Sequence, residues 1–259
     1  MSLSRFRLLD EMGISPQWKL RENPSAQRGV KKAESVSAAT PQVKAPLPSE
    51  ASPQTTSLTP ATERTESIEQ MGWESLQQSI VDCRACTLCA QRKQAVPGVG
   101  DKNADWLFIG EGPGAEEDER GEPFVGQAGK LLDAMLAAID LKRSEGVYIA
   151  NAVKCRPPSN RTPEASEMLA CLPFLKRQIA LIQPRLIVVL GRAAAHSLLG
   201  EEASLASLRG KSLSYGNGSQ TIPVVVTYHP AYLLRTLPDK LKAWEDLSRA
   251  RALMRSYKV

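Results

Sequence analysis

The sequence has few aromatic residues, which make up 5% of its 259 residues. No aromatic residue lies between Trp18 and Trp73. A segment without large apolar side chains cannot bury enough surface to offset the entropy lost on ordering. Residues 23–66, where Pro, Ser, Thr, Ala and Gln predominate, are therefore predicted to form a disordered linker between a short segment at 1–22 and a domain at 67–259.

Long hydrophobic runs are also absent. No run approaches the roughly 20 apolar residues that a membrane helix needs. Residues 1–11 mix charged with apolar side chains, unlike a secretory signal. We therefore expect a cytoplasmic protein without a membrane segment. In that reducing compartment the five cysteines are not expected to form structural disulfides, so they are packing residues or a metal site.

The composition that is present suits one globular domain, since 42% of the residues are hydrophobic. The formal charge of +5 and a pI near 9.0 favour an anionic partner. Many basic globular proteins bind no nucleic acid, however, so charge alone indicates little.

The domain alternates short apolar runs with longer amphipathic stretches. Such alternation predicts an α/β fold with a four-stranded parallel sheet and helices on both faces. The predicted strands are 106–109, 147–149, 186–190 and 224–228. The predicted helices are 68–83, 128–139, 163–182, 193–199 and 238–254. Thr162 before Pro163 is a good helix N-cap, and Gly200 a good C-terminal cap.

Polar motifs follow each of the four predicted strands. The first ends at Gly110-Glu111-Gly112, the second at Asn151, the third at Gly191-Arg192, and the fourth at His229. Because the carboxyl ends of parallel strands share one edge of a sheet, these motifs are expected to meet in one ligand-binding crevice.

The cysteine spacing is compatible with three roles for these residues. Cys83 and Cys86 form a C-x-x-C pair, which with the distant Cys155 and Cys171 would complete a four-thiolate shell for zinc or an iron-sulfur cluster. The pair alone is also typical of redox proteins, and buried free cysteines are common. Cys89 extends the pair to C-x-x-C-x-x-C.

Four strings in this order, together with these cysteines, resemble family 4 uracil-DNA glycosylases, the iron-sulfur class of that superfamily. The strings are GEGPGAEEDERGEPFVGQAGKLL, NAVKCRPPSNRTP, LRGK and HPAYLLR. The resemblance spans about residues 75–254. It implies a bacterial-type DNA repair enzyme that hydrolyses the bond between uracil and deoxyribose in nucleoid DNA, leaving an abasic site. We expect it to act as a monomer.

The resemblance also implies a 4Fe-4S cluster and a set of site residues. The cluster ligands would be Cys83, Cys86, Cys155 and Cys171, with Cys89 a bystander. Glu111 and His229 would be catalytic. Gly112, Glu117, Phe124 and Asn151 would bind the base. The carboxamide of Asn151 matches the N3-H donor and O4 acceptor of uracil, whereas cytosine reverses that pattern.

Contacts to DNA are expected from the last motif and from basic residues. Leu233 or Leu234 would fill the gap left by a flipped base. Arg161 and Arg235, together with Lys154 and Arg209, would add positive charge near the motifs. Each of these cations alone is more often a solvated surface group.

Other classes of protein fit parts of the pattern. Gly110, Gly112 and Ala115 match the G-x-G-x-x-A of dinucleotide-binding enzymes, although Pro113 removes one phosphate-facing N-H and no acidic residue ends the second strand. A metal-stapled DNA-binding module without enzymatic activity is another alternative. A relative that crosslinks to abasic sites is a third, but its basic insertion is missing after Lys154.

The first residues carry a separate signal. The string RFRLLDEMGISPQWKLREN resembles the amino-terminal peptide of the psi subunit of the bacterial clamp loader. Residues 1–22 are therefore a candidate docking peptide for clamp-loader subunits. A terminal helix that packs on the enzyme itself is an equally good reading.

Overall fold

The computed structural model describes residues 59–200, 203–217 and 220–256. The candidate docking peptide and most of the predicted linker lie outside these residues. The helices are α1 (Thr59–Glu69), α2 (Trp73–Asp82), α3 (Ala115–Arg120), α4 (Gln127–Ala137), α5 (Ala165–Ile182), α6 (Arg192–Leu199), α7 (Leu205–Leu208), α8 (Pro230–Arg235) and α9 (Lys240–Ser256). The strands are β1 (Val99–Gly100), β2 (Trp106–Gly110), β3 (Val147–Asn151), β4 (Leu186–Leu190), β5 (Leu213–Asn217) and β6 (Gln220–Thr227).

The strands form a six-stranded sheet in the order β1-β3-β2-β4-β6-β5. The four central strands are parallel, with Gly110 beside Asn151 and Val189 beside Val226 in the register. This confirms the predicted α/β class and its four parallel strands. The antiparallel edge strands β1 and β5 were not predicted. They are short or polar, so they lack the apolar runs that mark the central strands.

Each central strand is buried on both faces, which explains its continuous apolar sequence. One face packs against α4, α8 and α9 through residues such as Phe108, Leu132 and Trp244. The other packs against α5, α6 and α7 through residues such as Ile109, Ile179 and Leu208. Neighbouring strand residues alternate between the two layers, as the period-2 geometry of a strand requires.

Two helix predictions were wrong at their boundaries. The stretch 68–83 is two helices separated at Met71 and Gly72, and α1 begins within the segment predicted as linker. Helix α5 begins after Glu164, not at Thr162. The carboxylate of Glu167 accepts the Glu164 main-chain N-H at 2.8 Å and thus satisfies one of the free donors of the first turn. The predicted cap at Gly200 is confirmed by its left-handed conformation.

A third cluster of buried residues joins α1 and α2 to the first half of α5. It contains Ile68, Leu76 and Phe174 together with two cysteines of the predicted ligand set, Cys155 and Cys171. The other two, Cys83 and Cys86, are partly buried and pack against it. Within the described part of the chain, every helix is too short or too polar to span a bilayer.

Candidate active site

A cavity of about 1060 Å³ lies at the carboxyl edge of the parallel strands. Residues that follow all four strands line it, as the strand-end motifs predicted. Eight of the residues predicted to act in catalysis, substrate binding or DNA contact line the cavity: Glu111, Gly112, Glu117, Phe124, Asn151, Arg161, His229 and Arg235.

Asn151 is the last residue of β3, and its side chain is 2% exposed. Its carboxamide oxygen is buried without a hydrogen-bond partner in the described residues. Leaving such a group unpaired costs about 1–3 kcal/mol. The adjacent strand position is Gly110, where a Cβ would approach that oxygen to 2.4 Å. The glycine therefore leaves room for an unsatisfied acceptor on a residue that lines the cavity.

His229 follows β6 and caps α8. Its Nδ1 accepts the Ala231 main-chain N-H at 3.1 Å. A neutral ring therefore carries its proton on Nε2, which is free to donate. Burial is the main cause that lowers the pKa of His229 to about 4; Arg235 lowers it further, and Glu117 opposes the shift. With this pKa the imidazole is neutral at physiological pH.

Phe124 stacks on His229, with ring centroids 5.5 Å apart and an interplanar angle of 29°. Its backbone has φ = 56°, a left-handed conformation that is rare for a bulky residue. Gly129 permits this turn, because a Cβ there would lie 1.8 Å from the Phe124 carbonyl oxygen. The aromatic face is therefore set in place by a strained loop.

Two charged side chains form hydrogen bonds with the main chain of that loop. The Glu117 carboxylate accepts the N-H groups of Val125 at 2.9 Å and Gly126 at 3.1 Å. The Arg143 guanidinium donates to the carbonyl oxygens of Pro123 at 3.0 Å and Phe124 at 2.9 Å. Charge-assisted bonds of this kind are stronger than neutral ones. Sequence reasoning did not find Arg143, because nothing local connects it to a loop about 20 residues earlier.

Glu111 follows β2 at the floor of the cavity. Burial raises the pKa of its carboxyl group, while a hydrogen bond from the Thr162 side chain and the charge of Arg192 oppose the rise. Thr162, predicted as a helix cap, thus contacts the acidic side chain instead. Arg192 is exposed at the start of α6 and also lines the cavity.

The predicted DNA-contacting residues divide in two. Of the two candidate wedges, Leu233 is fully buried in the core and unsuited to the role, whereas Leu234 is 42% exposed. Arg235 is exposed. Arg161 binds the Glu167 carboxylate at 2.7 Å and keeps a 36% exposed side chain.

Two further basic residues do not supply the free charge that was expected. Lys154 is 1% exposed, and Arg209 forms an ion pair with Asp246 at 2.6 Å. Neither the position of Lys154 shortly after β3 nor the LRGK string that contains Arg209 indicated that Lys154 is buried or that Arg209 is paired.

The four predicted ligand cysteines belong to one group, in which Cys155 and Cys171 are buried, with 4% and 5% exposed, and Cys83 and Cys86 are partly buried. Burial raises the pKa of the Cys155 thiol to about 11 and that of Cys171 to about 12, and the charge of Cys83 contributes to both shifts. Cys89 is not part of this group. In the described residues, no three His, Cys, Asp or Glu side chains are close enough to bind a single metal ion.

Positive charge surrounds these thiols. Arg92 donates to the Cys155 sulfur at 2.8 Å, and Arg64 lies 3.7 Å from the Cys83 sulfur. An arginine beside a cysteine sulfur favours its thiolate form, and thiolate is the form that holds an iron-sulfur cluster. The chemistry of these residues therefore fits the expected cluster.

The fold and this site define a DNA repair class. The model of the uracil DNA glycosylase superfamily matches residues 97–248, more than half of the chain, and the chain belongs to that superfamily. The type-4 uracil-DNA glycosylase of Sulfurisphaera tokodaii is 42% identical over 184 residues, 70% of this chain and 84% of that protein. The Thermotoga maritima type-4 enzyme is 41% identical over 185 residues, 70% of this chain and 94% of that protein.

The chain is therefore a member of the type-4 uracil-DNA glycosylases, which the sequence analysis identified as the iron-sulfur class. The type-5 uracil-DNA glycosylase of Thermus thermophilus is less similar, with 33% identity over 160 residues, 50% of this chain and 73% of that protein. Membership of this family excludes the dinucleotide-binding alternative.

Proposed function

We propose that the chain removes uracil from DNA in base excision repair, as a monofunctional hydrolase that leaves an abasic site. The observation that carries this proposal is the buried, unpartnered carboxamide oxygen of Asn151 in the cavity. A uracil flipped out of the DNA stack would supply the missing partner through its N3-H, and the amide nitrogen would donate to O4. Cytosine offers no N3 donor and would leave the oxygen unpaired.

The remaining pocket residues bind the flipped base. The Phe124 ring provides a stacking surface beside His229, and the main chain of Gly112 bounds the pocket. Glu117 lines the cavity and is held by the loop amides. We assign it to the C5 edge, where it would exclude the methyl group of thymine.

The chemistry needs negative charge stabilised on uracil and positive charge on the sugar. The Nε2-H of neutral His229 is suited to donate to O2 as the base leaves, because its Nδ1 is already occupied. Glu111 would orient the attacking water and offset the charge on the sugar. The described residues that line the cavity include no lysine, which supports hydrolysis without a covalent amine intermediate.

DNA would be held around the cavity mouth. The exposed Leu234 is the wedge candidate, since it lies next to the buried Leu233 on α8. Arg161 and Arg235 at the cavity wall would contact phosphates of uracil-containing DNA.

We assign a 4Fe-4S cluster to Cys83, Cys86, Cys155 and Cys171. When bound, the cluster would tie α2, the loop after β3 and α5 together, a structural role close to the cavity. The test is the iron content of single alanine variants after anaerobic purification. Each of the four is expected to lose iron, whereas Cys89→Ala, the matched control, retains it. Loss of iron in Cys89→Ala together with retention of iron in Cys171→Ala would contradict the assignment.

The activity itself is tested by alkaline cleavage of a uracil-containing oligonucleotide after incubation with the enzyme. Uracil strands should be cut, and matched thymine and cytosine strands should not. Cleavage without alkali would contradict a monofunctional hydrolase.

We further propose that the chain works as a monomer and that residues 1–22, which lie outside the described residues, dock to clamp-loader subunits. This part rests on the sequence resemblance alone. The linker of roughly forty residues would span an r.m.s. distance of about 35 Å, which lets a tethered enzyme scan nearby DNA.

A further inference from the structure

Lys154 is a buried cation that the proposed chemistry does not use. It is 1% exposed. Its ammonium donates to the main-chain oxygen of Asn151 at 2.8 Å and to Oε1 of Gln178 at 2.6 Å. Both acceptors are neutral. Burying a charge against neutral acceptors is costly unless those contacts are well formed, so the two hydrogen bonds must be short and fixed.

The acceptor Gln178 is itself anchored. Its amide nitrogen donates to the Pro97 carbonyl oxygen at 2.8 Å, and it lies on α5, two turns beyond Cys171. The ammonium therefore joins the end of β3 to the helix that carries one of the proposed cluster ligands.

The main chain of Lys154 forms hydrogen bonds next to the four predicted ligand cysteines. Its N-H donates to the Cys171 sulfur at 3.4 Å, and its carbonyl oxygen accepts the Val96 N-H at 2.8 Å. The next residue is Cys155, whose sulfur accepts from Arg92. The main chain of Lys154 is thus bonded to a cysteine sulfur, and its ammonium is bonded to the main chain of Asn151.

We infer that Lys154 is a positioning residue: it links the four predicted ligand cysteines to base recognition by fixing the backbone of Asn151. The inference rests on the proposed function. Asn151 must point an unpaired carboxamide oxygen into the cavity, which is unfavourable until uracil binds. A rigid strand end keeps the side chain from turning toward another partner, and the ammonium supplies a charged donor to the last carbonyl of the strand.

The test compares Lys154→Met with Lys240→Met, which removes another buried lysine, at the start of α9. Both variants replace the ammonium by an apolar side chain of similar length. For Lys154→Met we expect single-turnover excision of uracil to fall about tenfold or more, since hydrogen bonds to charged groups are strong. Inhibition by free uracil should weaken by a similar factor, while binding to an abasic-site oligonucleotide stays unchanged. Lys240→Met should match the wild type in all three.

A second measurement is independent of activity. Amide hydrogen exchange of the peptide covering residues 151–153 should be faster in Lys154→Met than in the wild type and unchanged in Lys240→Met. If Lys154→Met also loses iron, iron-free wild type prepared by chelation becomes the reference. Faster exchange in the variant than in this reference supports the inference, and equal exchange overturns it.

Wild-type excision and wild-type inhibition by uracil in Lys154→Met would overturn the inference, as would equal losses in both lysine variants. If Lys154→Met does not fold, Lys154→Gln takes its place, because it keeps a polar side chain but removes the positive charge and shortens the reach toward the Asn151 carbonyl. Inhibition by uracil as strong as in the wild type then overturns the inference, and weaker inhibition supports it. A wild-type enzyme that does not excise uracil would reject the proposed function instead, and the exchange of residues 151–153 would still report on the lysine.

Discussion

Asn151, at the end of β3, and His229, just after β6, line the same cavity but carry opposite hydrogen-bonding groups. The Asn151 oxygen has no partner in the described residues and is an available acceptor. A neutral His229 ring carries its available N-H on Nε2, because Nδ1 accepts from Ala231. Together they match an acceptor and a donor on the same base. The strand-end positions predicted that the two residues meet in one crevice, whereas their roles toward uracil are what the resemblance to family 4 implies.

Replacing either side chain by alanine should leave the fold intact and remove most base excision. A lost hydrogen bond to the transition state typically reduces the rate about 10² to 10³-fold. His229→Ala and Asn151→Ala are therefore expected to retain iron and melting temperature while single-turnover excision falls by that factor. Near-normal excision by both variants would reject the pocket.

The pH dependence of excision should lack the transition of an ordinary histidine. With its pKa lowered to about 4 by burial and Arg235, His229 stays neutral as the pH falls through 6.5. The pKa of Glu111 is raised by burial, so the active carboxylate is lost as the pH falls toward that raised value. Single-turnover rates should be flat near pH 6.5 and fall at more acid pH.

The control for this prediction is Glu111→Gln, which should be slow and should lose the acid decline that belongs to the carboxylate. A transition near pH 6.5 in the wild type that disappears in His229→Gln would show that the imidazole titrates normally and would contradict the neutral donor.

At the scale of elements, the sequence predicted the four central strands because each is a continuous apolar run. It missed β1 and β5, which pair at the sheet edges without such a run. It also missed the break between α1 and α2. The contacts of Arg143 and Thr162 could not be predicted, since they join loops that only the tertiary fold brings together.

The loop that carries Phe124 gives a prediction of its own. Arg143→Ala removes both hydrogen bonds to the Pro123 and Phe124 carbonyls, so the strained loop should relax and stacking on uracil should weaken. We expect about a tenfold loss of excision and weaker inhibition by free uracil. Arg143→Lys should retain only part of the excision activity, because an ammonium cannot bridge as many acceptors as a guanidinium.

Arg251→Ala is the matched control for this loop. It removes an ion pair with Asp140 of 3.0 Å and leaves the Phe124 loop untouched. Equal losses of activity in Arg143→Ala and Arg251→Ala would indicate general destabilisation and would contradict a specific role for the loop.

At the scale of the whole molecule, the proposed docking peptide is separable from catalysis. Deleting residues 1–22 should leave excision on naked oligonucleotides unchanged, because every cavity-lining residue described lies beyond residue 110. The same deletion should abolish pull-down of clamp-loader subunits. If the intact chain captures none of them, or if the deletion unfolds the domain, docking is rejected.

The strand order also has a consequence for synthesis on the ribosome. Strand β4 lies between β2 and β6, and His229 follows β6. A nascent chain that stops before residue 220 therefore exposes the unpaired edge of β4, a template for association with other chains, and it lacks the imidazole. The proposed uracil site is completed only by the segment from residue 220 onward, so we expect prematurely terminated products to be inactive and prone to aggregation.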